Sequence, residues 1–268
     1  MTGSTPSPRS LVARVAHVSF DVAAEAYDRF MGRYSTPLAP RFLDFAEVDS
    51  GPVLDVGCGP GALTAVLVER FGADAVAAAD PSEPFVAAAR GRHPGVRVEL
   101  APAEAMPFDE AQFAAALAQL VVHFMSDPVA GLREMIRVTH EGGVVAACVW
   151  DLAGGGAPLS PFWDAARQLD PDIDDESTLA GAREGHLAEL FDAAGVREIA
   201  DGAISVDVGH ATFDEWWEPY TLGVGPAGAH VAGLDGAQRA DLRERCRDLL
   251  PDAPFTIQAR AWAARGVV

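Results

Sequence analysis

Short apolar runs alternate with helix-like patterns through the first half of the chain. Apolar runs typical of buried strands fall at 53–56, 75–79, 96–100, 113–120 and 144–150. Segments with the apolar spacing of helices lie between them at 62–70, 82–90 and 128–140. Because such alternation favours parallel pairing with helices on both faces, the pattern predicts an α/β fold with a Rossmann-like, doubly wound, mostly parallel sheet.

The pattern differs at the two ends of the chain. Residues 1–10 are polar and are predicted to be a disordered tail, and 11–47 to be mostly helix, broken by Pro37 and Pro40. The segment 11–150 is therefore predicted to hold N-terminal helices and the nucleotide-binding core.

The second half of the chain is predicted to add a cap to this core. Segment 151–235 is assigned to an inserted cap, interleaved with the end of the core, and 236–268 to a C-terminal helix and last strand. The patterns predict a helix at 184–194, strands at 196–200 and 203–208, a helix at 238–250 and a strand at 255–263. Between these elements, 151–182 and part of 211–250 are rich in glycine and proline and predict loops.

Charge and composition exclude several classes of function. The 268 residues carry a formal net charge of -19, which disfavours nucleic acid and anionic membranes as partners. All 20 basic residues are arginine, which rules out Schiff-base, PLP and Walker-lysine chemistry in this chain. Cys58, Cys148 and Cys246 form no CxxC pair, so no metal site is predicted. We expect a cytoplasmic protein, monomeric or homodimeric, without a membrane span.

A glycine-rich turn follows the first strand. Gly57, Gly59 and Ala62 satisfy the G-x-G-x-x-G/A pattern of dinucleotide enzymes, and Asp80 lies near the distance at which these place a ribose-binding acid. Two further residues favour S-adenosylmethionine (SAM) instead. Gly61 makes the turn denser in glycine, and the carboxylate of Asp55 would repel a pyrophosphate but suits the amino and sulfonium groups of SAM. About fifty residues containing helix also precede the turn.

The run Val53-Leu54-Asp55-Val56-Gly57-Cys58-Gly59-Pro60-Gly61 resembles motif I of class I SAM-dependent methyltransferases. Four other segments resemble the small-molecule, ubiquinone/menaquinone-methyltransferase-like group (methyltransferase type 11): 27–35, 103–108, 119–128 and 141–143. The resemblance implies the class I methyltransferase fold, with SAM as cofactor and S-adenosylhomocysteine (SAH) as product.

The resemblance also implies which residues bind SAM. Asp80 corresponds to the acid that binds the ribose hydroxyls, and Pro102 stands where the family usually has an Asp or Asn for the adenine amine, so Glu104 or backbone groups would replace it. Tyr27 and Arg33 are candidates to close over the methionine end, although Arg33 suits a surface salt bridge and Tyr27 core packing equally well. The predicted cofactor-binding residues are Tyr27, Arg33, Asp55, Gly57, Cys58, Gly59, Asp80, Pro81, Ala103, Glu104 and Gln119.

The acceptor side of the site rests on weaker signals. His123 follows the fourth strand and is the candidate general base, with a structural histidine as the alternative. The acidic stretch 170–176 is interpreted as a solvated loop. An acceptor pocket is predicted from Trp150, Asp151, Trp163, Trp216, Trp217 and Tyr220, although the aromatic residues also suit a small core.

The function expected from these patterns is methyl transfer from SAM to O, N or C of a small, fairly apolar metabolite. A SAM-dependent cyclase or rearrangement enzyme on the same fold remains an alternative, as does a non-catalytic SAM-binding protein. A nicotinamide-dependent oxidoreductase is the alternative from another cofactor class.

Overall fold

The computed structural model describes residues 24–268, so the predicted tail at 1–10 and the first part of the predicted N-terminal helix lie outside the described residues. Seven strands occur in this part of the chain: β1 (Val53–Val56), β2 (Val76–Asp80), β3 (Arg97–Leu100), β4 (Phe113–Gln119), β5 (Thr139–Trp150), β6 (Arg197–His210) and β7 (Phe255–Val267).

All seven strands form one sheet in the order β3-β2-β1-β4-β5-β7-β6. Strands β1 to β5 pair in parallel, and β7 is antiparallel to both β5 and β6. This topology confirms the predicted doubly wound, mostly parallel sheet. The two strands expected at 196–200 and 203–208 are one strand, β6, which continues past a shift in register between Arg197 and Ala200.

Helices cover both faces of this sheet. Those of the first half are α1 (Ala24–Tyr27), α2 (Arg33–Ala46), α3 (Ala62–Phe71), α4 (Glu83–Arg92) and α5 (Pro128–Val138). Those of the second half are α6 (Ser160–Leu169), α7 (His186–Ala194), α8 (Phe213–Trp217), α9 (Gly225–Gly233) and α10 (Gly236–Leu249). A π-helical turn at Asp28–Gly32 joins α1 to α2.

The prediction that two prolines break the N-terminal helix is wrong. Helix α2 continues through Pro37 and Pro40, both of which lie on its exposed side. The opposite side buries Leu38 and Phe42 completely. Because burying each such side chain stabilises the fold by about 1.5–3 kcal/mol, packing of this face offsets the backbone hydrogen bonds that the prolines cannot donate.

The glycine- and proline-rich segments of the second half contain more helix than expected. Helix α6 lies within 151–182 and α9 lies where a loop was predicted. Pro161 and Pro226 each occupy the first turn of their helix, where the amide hydrogen has no partner in the helix and proline is tolerated. Helix α5 ends at Val138, and β5 begins directly at Thr139 rather than after Gly143.

The core has two layers, one on each face of the sheet. Successive residues of β1 point to opposite faces: Val53 packs with Leu38 and Phe42 of α2, whereas Leu54 packs with Leu132 and other residues of α5. Strands β1 and β2 are buried along their whole length, as expected of central parallel strands. The carboxyl ends of β1, β2 and β4 therefore meet at one edge of a rigid sheet, where ligands bind in open α/β folds.

Candidate active site

The glycine turn after β1 is attached to the end of β2 by its backbone. The amides of Gly57 and Cys58 both donate to the carbonyl oxygen of Ala79, at 2.7 and 3.0 Å. Gly57, Gly59 and Gly61 all have positive φ angles, of 68°, 53° and 102°. A Cβ on Gly59 would meet nothing within 4 Å, so the main chain of the turn is open to a ligand at this point.

Asp80 connects this turn to the helix that follows β2. Its Oδ2 accepts from the Gly59 amide at 2.8 Å and its Oδ1 accepts from the Ser82 amide at 2.9 Å. A carboxylate has about four acceptor positions, so each oxygen retains one for a ligand. Burial raises the pKa of Asp80 to about 6, and the two amide hydrogen bonds counteract only part of this rise.

Asp55 is a second buried acid behind the glycine turn. Only 1% of it is exposed, and its Oδ2 accepts from the Thr64 hydroxyl at 2.6 Å. Burial, together with the charge of Asp80, raises the pKa of Asp55 to about 7 against the effect of that hydrogen bond. Burial likewise raises the pKa of the Cys58 thiol, with Asp55 and Asp80 adding to the rise. Neither Asp55 nor Asp80 accepts from an arginine among the described residues, although Arg92 donates to the Pro60 carbonyl of the same turn at 3.3 Å.

The N-terminal helix places Tyr27 close to Asp80, but it places Arg33 elsewhere. Burial, then the charge of Asp80, raises the pKa of Tyr27. The guanidinium of Arg33 pairs with the Glu215 carboxylate at 2.5 Å and also contacts His210. Arg33 therefore joins α2 to the cap through a salt bridge, and its contact with the methionine end of SAM stays a prediction.

Gln119 ends β4 beside the same helix. Its Nε2 donates to the Ser35 carbonyl at 3.0 Å, whereas its Oε1 is buried and has no hydrogen-bond partner among residues 24–268. Pro81 is exposed at the edge of the sheet and Ala103 is buried. Glu104 accepts from the amides of Ser126 and Asp127 at 2.7 and 3.2 Å and so holds together the loops after β3 and β4.

A cavity with about 460 Å³ of empty space adjoins these residues. Its wall includes Tyr27, Leu120, His123 and Trp150, together with residues of the cap around Gly225. Most of its lining is apolar, which is typical of small-molecule sites. The sheet edge and the cap together form this space.

His123 faces this cavity in an apolar environment. It is 6% exposed, packs against the Phe124 ring at 3.9 Å between centroids, and its Nδ1 has no partner in the described part of the chain. Burial lowers its pKa to about 3, so the imidazole is neutral near pH 7. It can accept a hydrogen bond but is a weak base.

Only one of the six residues predicted to line an acceptor pocket does so directly. Trp150 lines the cavity and donates to the Met31 sulfur at 3.2 Å. Trp216, Trp217 and Tyr220 form the aromatic core of the cap instead, with Tyr220 stacked on Phe162 at 4.6 Å. Their placement agrees with the small-core alternative.

Asp151 is not at a pocket mouth. It is completely buried, pairs with Arg260 at 2.5 Å and accepts from the Trp262 indole at 2.9 Å, which joins the end of β5 to β7. The prediction that Asp151 contacts the acceptor is therefore corrected. A buried acid with these two donors serves to hold the strands together.

Glu176 is an acid of the cavity wall that the sequence patterns did not predict. The interpretation of 170–176 as a solvated loop is wrong for this residue, which is 2% exposed and lines the cavity. Its Oε2 accepts from the indole of Trp163 at 2.9 Å, which places Trp163 directly behind the cavity wall. The sequence signal was weak, because the acids beside Glu176 are largely exposed or paired with arginine.

Two further observations on the described residues concern metal binding and membrane-spanning helices. No group of three or more His, Cys, Asp or Glu side chains in residues 24–268 is arranged to hold a metal ion. In the same part of the chain, every helix is too short or too polar to cross a membrane.

The fold and strand order are those of class I, Rossmann-like methyltransferases. Residues 54–147 match the family model described as a methyltransferase domain. A solved SAM-dependent methyltransferase from Thermotoga maritima shares the fold, with a TM-score of 0.57, 17% identity, and coverage of 94% of this chain and 99% of that one.

Two curated relatives are each similar over about half of the chain. Malonyl-(acyl-carrier protein) O-methyltransferase of Pseudescherichia vulneris is 32% identical over 158 residues, which cover 57% of this chain and 59% of that protein. Trans-aconitate 2-methyltransferase of Sinorhizobium medicae is 29% identical over 126 residues, which cover 46% of this chain and 48% of that protein. The chain thus spans about half the length of these relatives.

Substitution of Gly57 by alanine is expected to destabilise the protein by about 2–4 kcal/mol, because the left-handed backbone is strained and the added Cβ overpacks its surroundings. That Cβ would lie 2.5 Å from both methyl carbons of Val121. Gly59→Ala is the matched control, since its Cβ enters open space and adds only about 1–2 kcal/mol of backbone strain. Urea unfolding measures both. Equal losses for the two variants, or no recovery on adding Val121→Ala to Gly57→Ala, would contradict the proposed clash.

Proposed function

We propose that this protein transfers a methyl group from SAM to O, N or C of a small, fairly apolar molecule held in the 460 Å³ cavity. The observation that carries the proposal is the position of this cavity. Tyr27, which is itself predicted to bind SAM, lines it, and so does Leu120, which follows the predicted SAM-binding residue Gln119 in the chain. A donor on the glycine turn and an acceptor in the cavity would therefore be neighbours.

The residues at the sheet edge fit SAM chemically. Asp80 retains acceptor positions for two ribose hydroxyls, and the open main chain at Gly59 admits a ligand without a Cβ clash. The unpartnered Oε1 of Gln119 and the buried carboxyl of Asp55 favour a cationic amino group. We assign Pro81, Ala103 and backbone groups beside Glu104 to the adenine, because Pro102 has no side-chain acceptor.

The chain contributes mainly alignment and exclusion of water. SAM supplies, when bound, a methyl group already activated by its sulfonium. The apolar wall around Trp150 and Leu120 holds the acceptor in a fixed position, and positioning of this kind supplies several kcal/mol, up to ~7–11 in ideal cases. The Arg33–Glu215 ion pair holds the cap against α2 and so helps to keep water out.

His123 is proposed to accept a hydrogen bond from the reacting group of the acceptor. Its unpartnered Nδ1 is available for that bond. The pKa of about 3 limits its strength as a base, so we place its contribution at the lower end of the usual range for general bases. Where the acceptor atom carries no proton, positioning alone serves the reaction.

Two alternatives to methyl transfer left open by the sequence are a nicotinamide enzyme and a SAM-dependent cyclase or rearrangement enzyme. The match to a methyltransferase domain favours SAM over a nicotinamide cofactor. A cyclase or rearrangement enzyme would use the same fold and cofactor, and mass analysis of the product separates it from a methyltransferase. We further propose that the protein acts in the cytoplasm, which the three free, buried cysteines support.

SAH is expected to bind the wild-type protein, and Asp80→Asn is expected to weaken it about 10- to 100-fold, because the variant loses hydrogen bonds to a charged group worth ~1.5–3 kcal/mol. Asp74→Asn is the matched control: it makes the same charge change just before β2, at the opposite edge of the sheet, where Asp74 is exposed. Isothermal calorimetry with SAH measures each Kd. Wild-type protein that ignores SAH, or equal Kd values for the two variants, argues against the proposed cofactor site.

Binding of SAH is expected to tighten as the pH rises through the pKa values of Asp80, about 6, and Asp55, about 7. Ribose hydroxyls and an ammonium group favour the ionised carboxylates, so binding lowers both pKa values and releases protons. Calorimetry near the lower value, in two buffers of different ionisation enthalpy, counts these protons. Net proton uptake, or tighter binding at acid pH, is the opposite result and would refute this assignment.

His123→Asn, tested with an acceptor that the wild type methylates, is expected to lower kcat by up to about 10²-fold while leaving KM for SAM unchanged. Because the pKa of His123 is about 3, its titration should produce no step in the kcat profile near neutral pH. His140→Asn, at an exposed position, is the control. SAH formation measures the rate, and an unchanged kcat would show that His123 is structural.

A further inference from the structure

The cavity contains one acid, Glu176, in an otherwise mostly apolar wall. The side chain is buried in a 3₁₀ turn at Glu176–Thr178, and the indole of Trp163 donates to its Oε2 at 2.9 Å. Trp163 itself lies in α6, inside the aromatic core of the cap. The fold therefore orients this carboxyl from behind and presents it to the space where an acceptor would sit.

The carboxyl of Glu176 lacks the partners that a buried acid normally has. It offers about four acceptor positions, and the Trp163 indole is the donor it has among residues 24–268. Burial of such a group is costly unless further hydrogen bonds compensate. In agreement with this, burial raises the pKa of Glu176 to about 7 despite the indole hydrogen bond. A donor group on a ligand would provide the missing bond.

The cavity has no positive charge to oppose this acid. Among the described residues, none of those lining it is an arginine, and the chain has no lysine. Arginines of neighbouring segments are engaged elsewhere: Arg33 pairs with Glu215, and Arg167 pairs with Asp164 and Asp175. A carboxylate on the acceptor would thus meet a like charge in a poorly solvated space, without a counter-ion.

We propose that Glu176 determines acceptor specificity by binding a hydroxyl or amine of the acceptor, and that this site rejects acceptors that carry a carboxylate there. The inference rests on the proposed function, and it names the class of acceptor. The proposed acceptor class differs from the substrates named for the two curated relatives, a malonyl group and trans-aconitate, which are carboxylic acids.

Four naphthalene compounds of similar size test the proposal: 2-naphthylmethylamine, 2-naphthylmethanol, 2-naphthoate and 2-methylnaphthalene. Their affinities for the wild type are measured by ligand-observed NMR, with and without SAH, at a pH above the pKa of Glu176. We expect the amine and the alcohol to bind at least about tenfold more tightly than the carboxylate. A carboxylate that binds as tightly as the amine, or failure of all four compounds to bind, would overturn the inference.

The variant Glu176→Gln tests whether Glu176 causes the preference for the amine over the carboxylate. Its amide oxygen still accepts from Trp163, but the charge is lost, so the amine-to-carboxylate affinity ratio should fall at least about tenfold. Asp174→Asn, at an exposed position in the same loop, should leave the ratio unchanged. An unchanged ratio in a folded Glu176→Gln protein overturns the proposal, and if that variant does not fold, the wild-type ranking remains decisive. Failure of the wild-type protein to bind SAH would refute the proposed function instead. The two failures can be told apart, because the affinity ratios measured without SAH test Glu176 independently of the cofactor.

Discussion

The attachment of the glycine turn to the end of β2 is the constraint on which the site depends. Gly57 and Cys58 donate to the Ala79 carbonyl, and Gly59 and Ser82 donate to the carboxylate of Asp80. These four bonds orient the backbone of two loops before any ligand arrives. Because the strands behind them are completely buried, the loops cannot shift without disturbing the core, and a ligand meets a preformed surface.

Buried acids give this surface its character. Burial raises the pKa values of Asp55 and Asp80 at the glycine turn, and it does the same for Glu176 in the cavity wall. Each is desolvated, and none has an arginine partner among the described residues. The arginines pair with other acids instead, such as Arg33 with Glu215 at the cap and Arg260 with the buried Asp151. Such an arrangement favours a cationic donor and a neutral or cationic acceptor.

In the cap, the residues that form its core differ from those that line the cavity. Its large aromatic residues, Trp216, Trp217 and Tyr220, pack on one another and on α6. They pack behind the cavity wall and do not line the cavity. Smaller residues around Gly225 and the single acid Glu176 line it. Aromatic bulk therefore stabilises the cap, and one polar side chain carries the specificity that we propose for it.

The parallel strands, the glycine turn and the position of Asp80 at the end of β2 followed from local patterns, because parallel strands, tight turns and strand-end acids each have a signature within a few residues. Other features depended on contacts between distant segments. Pro37 and Pro40 remain helical because the opposite face of α2 is buried, and Arg33 and Asp151 pair with the distant residues Glu215 and Arg260. Glu176 lies in an acidic stretch like any solvated loop, and only its packing on Trp163, thirteen residues earlier, buries it. The burial of a side chain is a property of its neighbours in space, which a linear pattern does not encode.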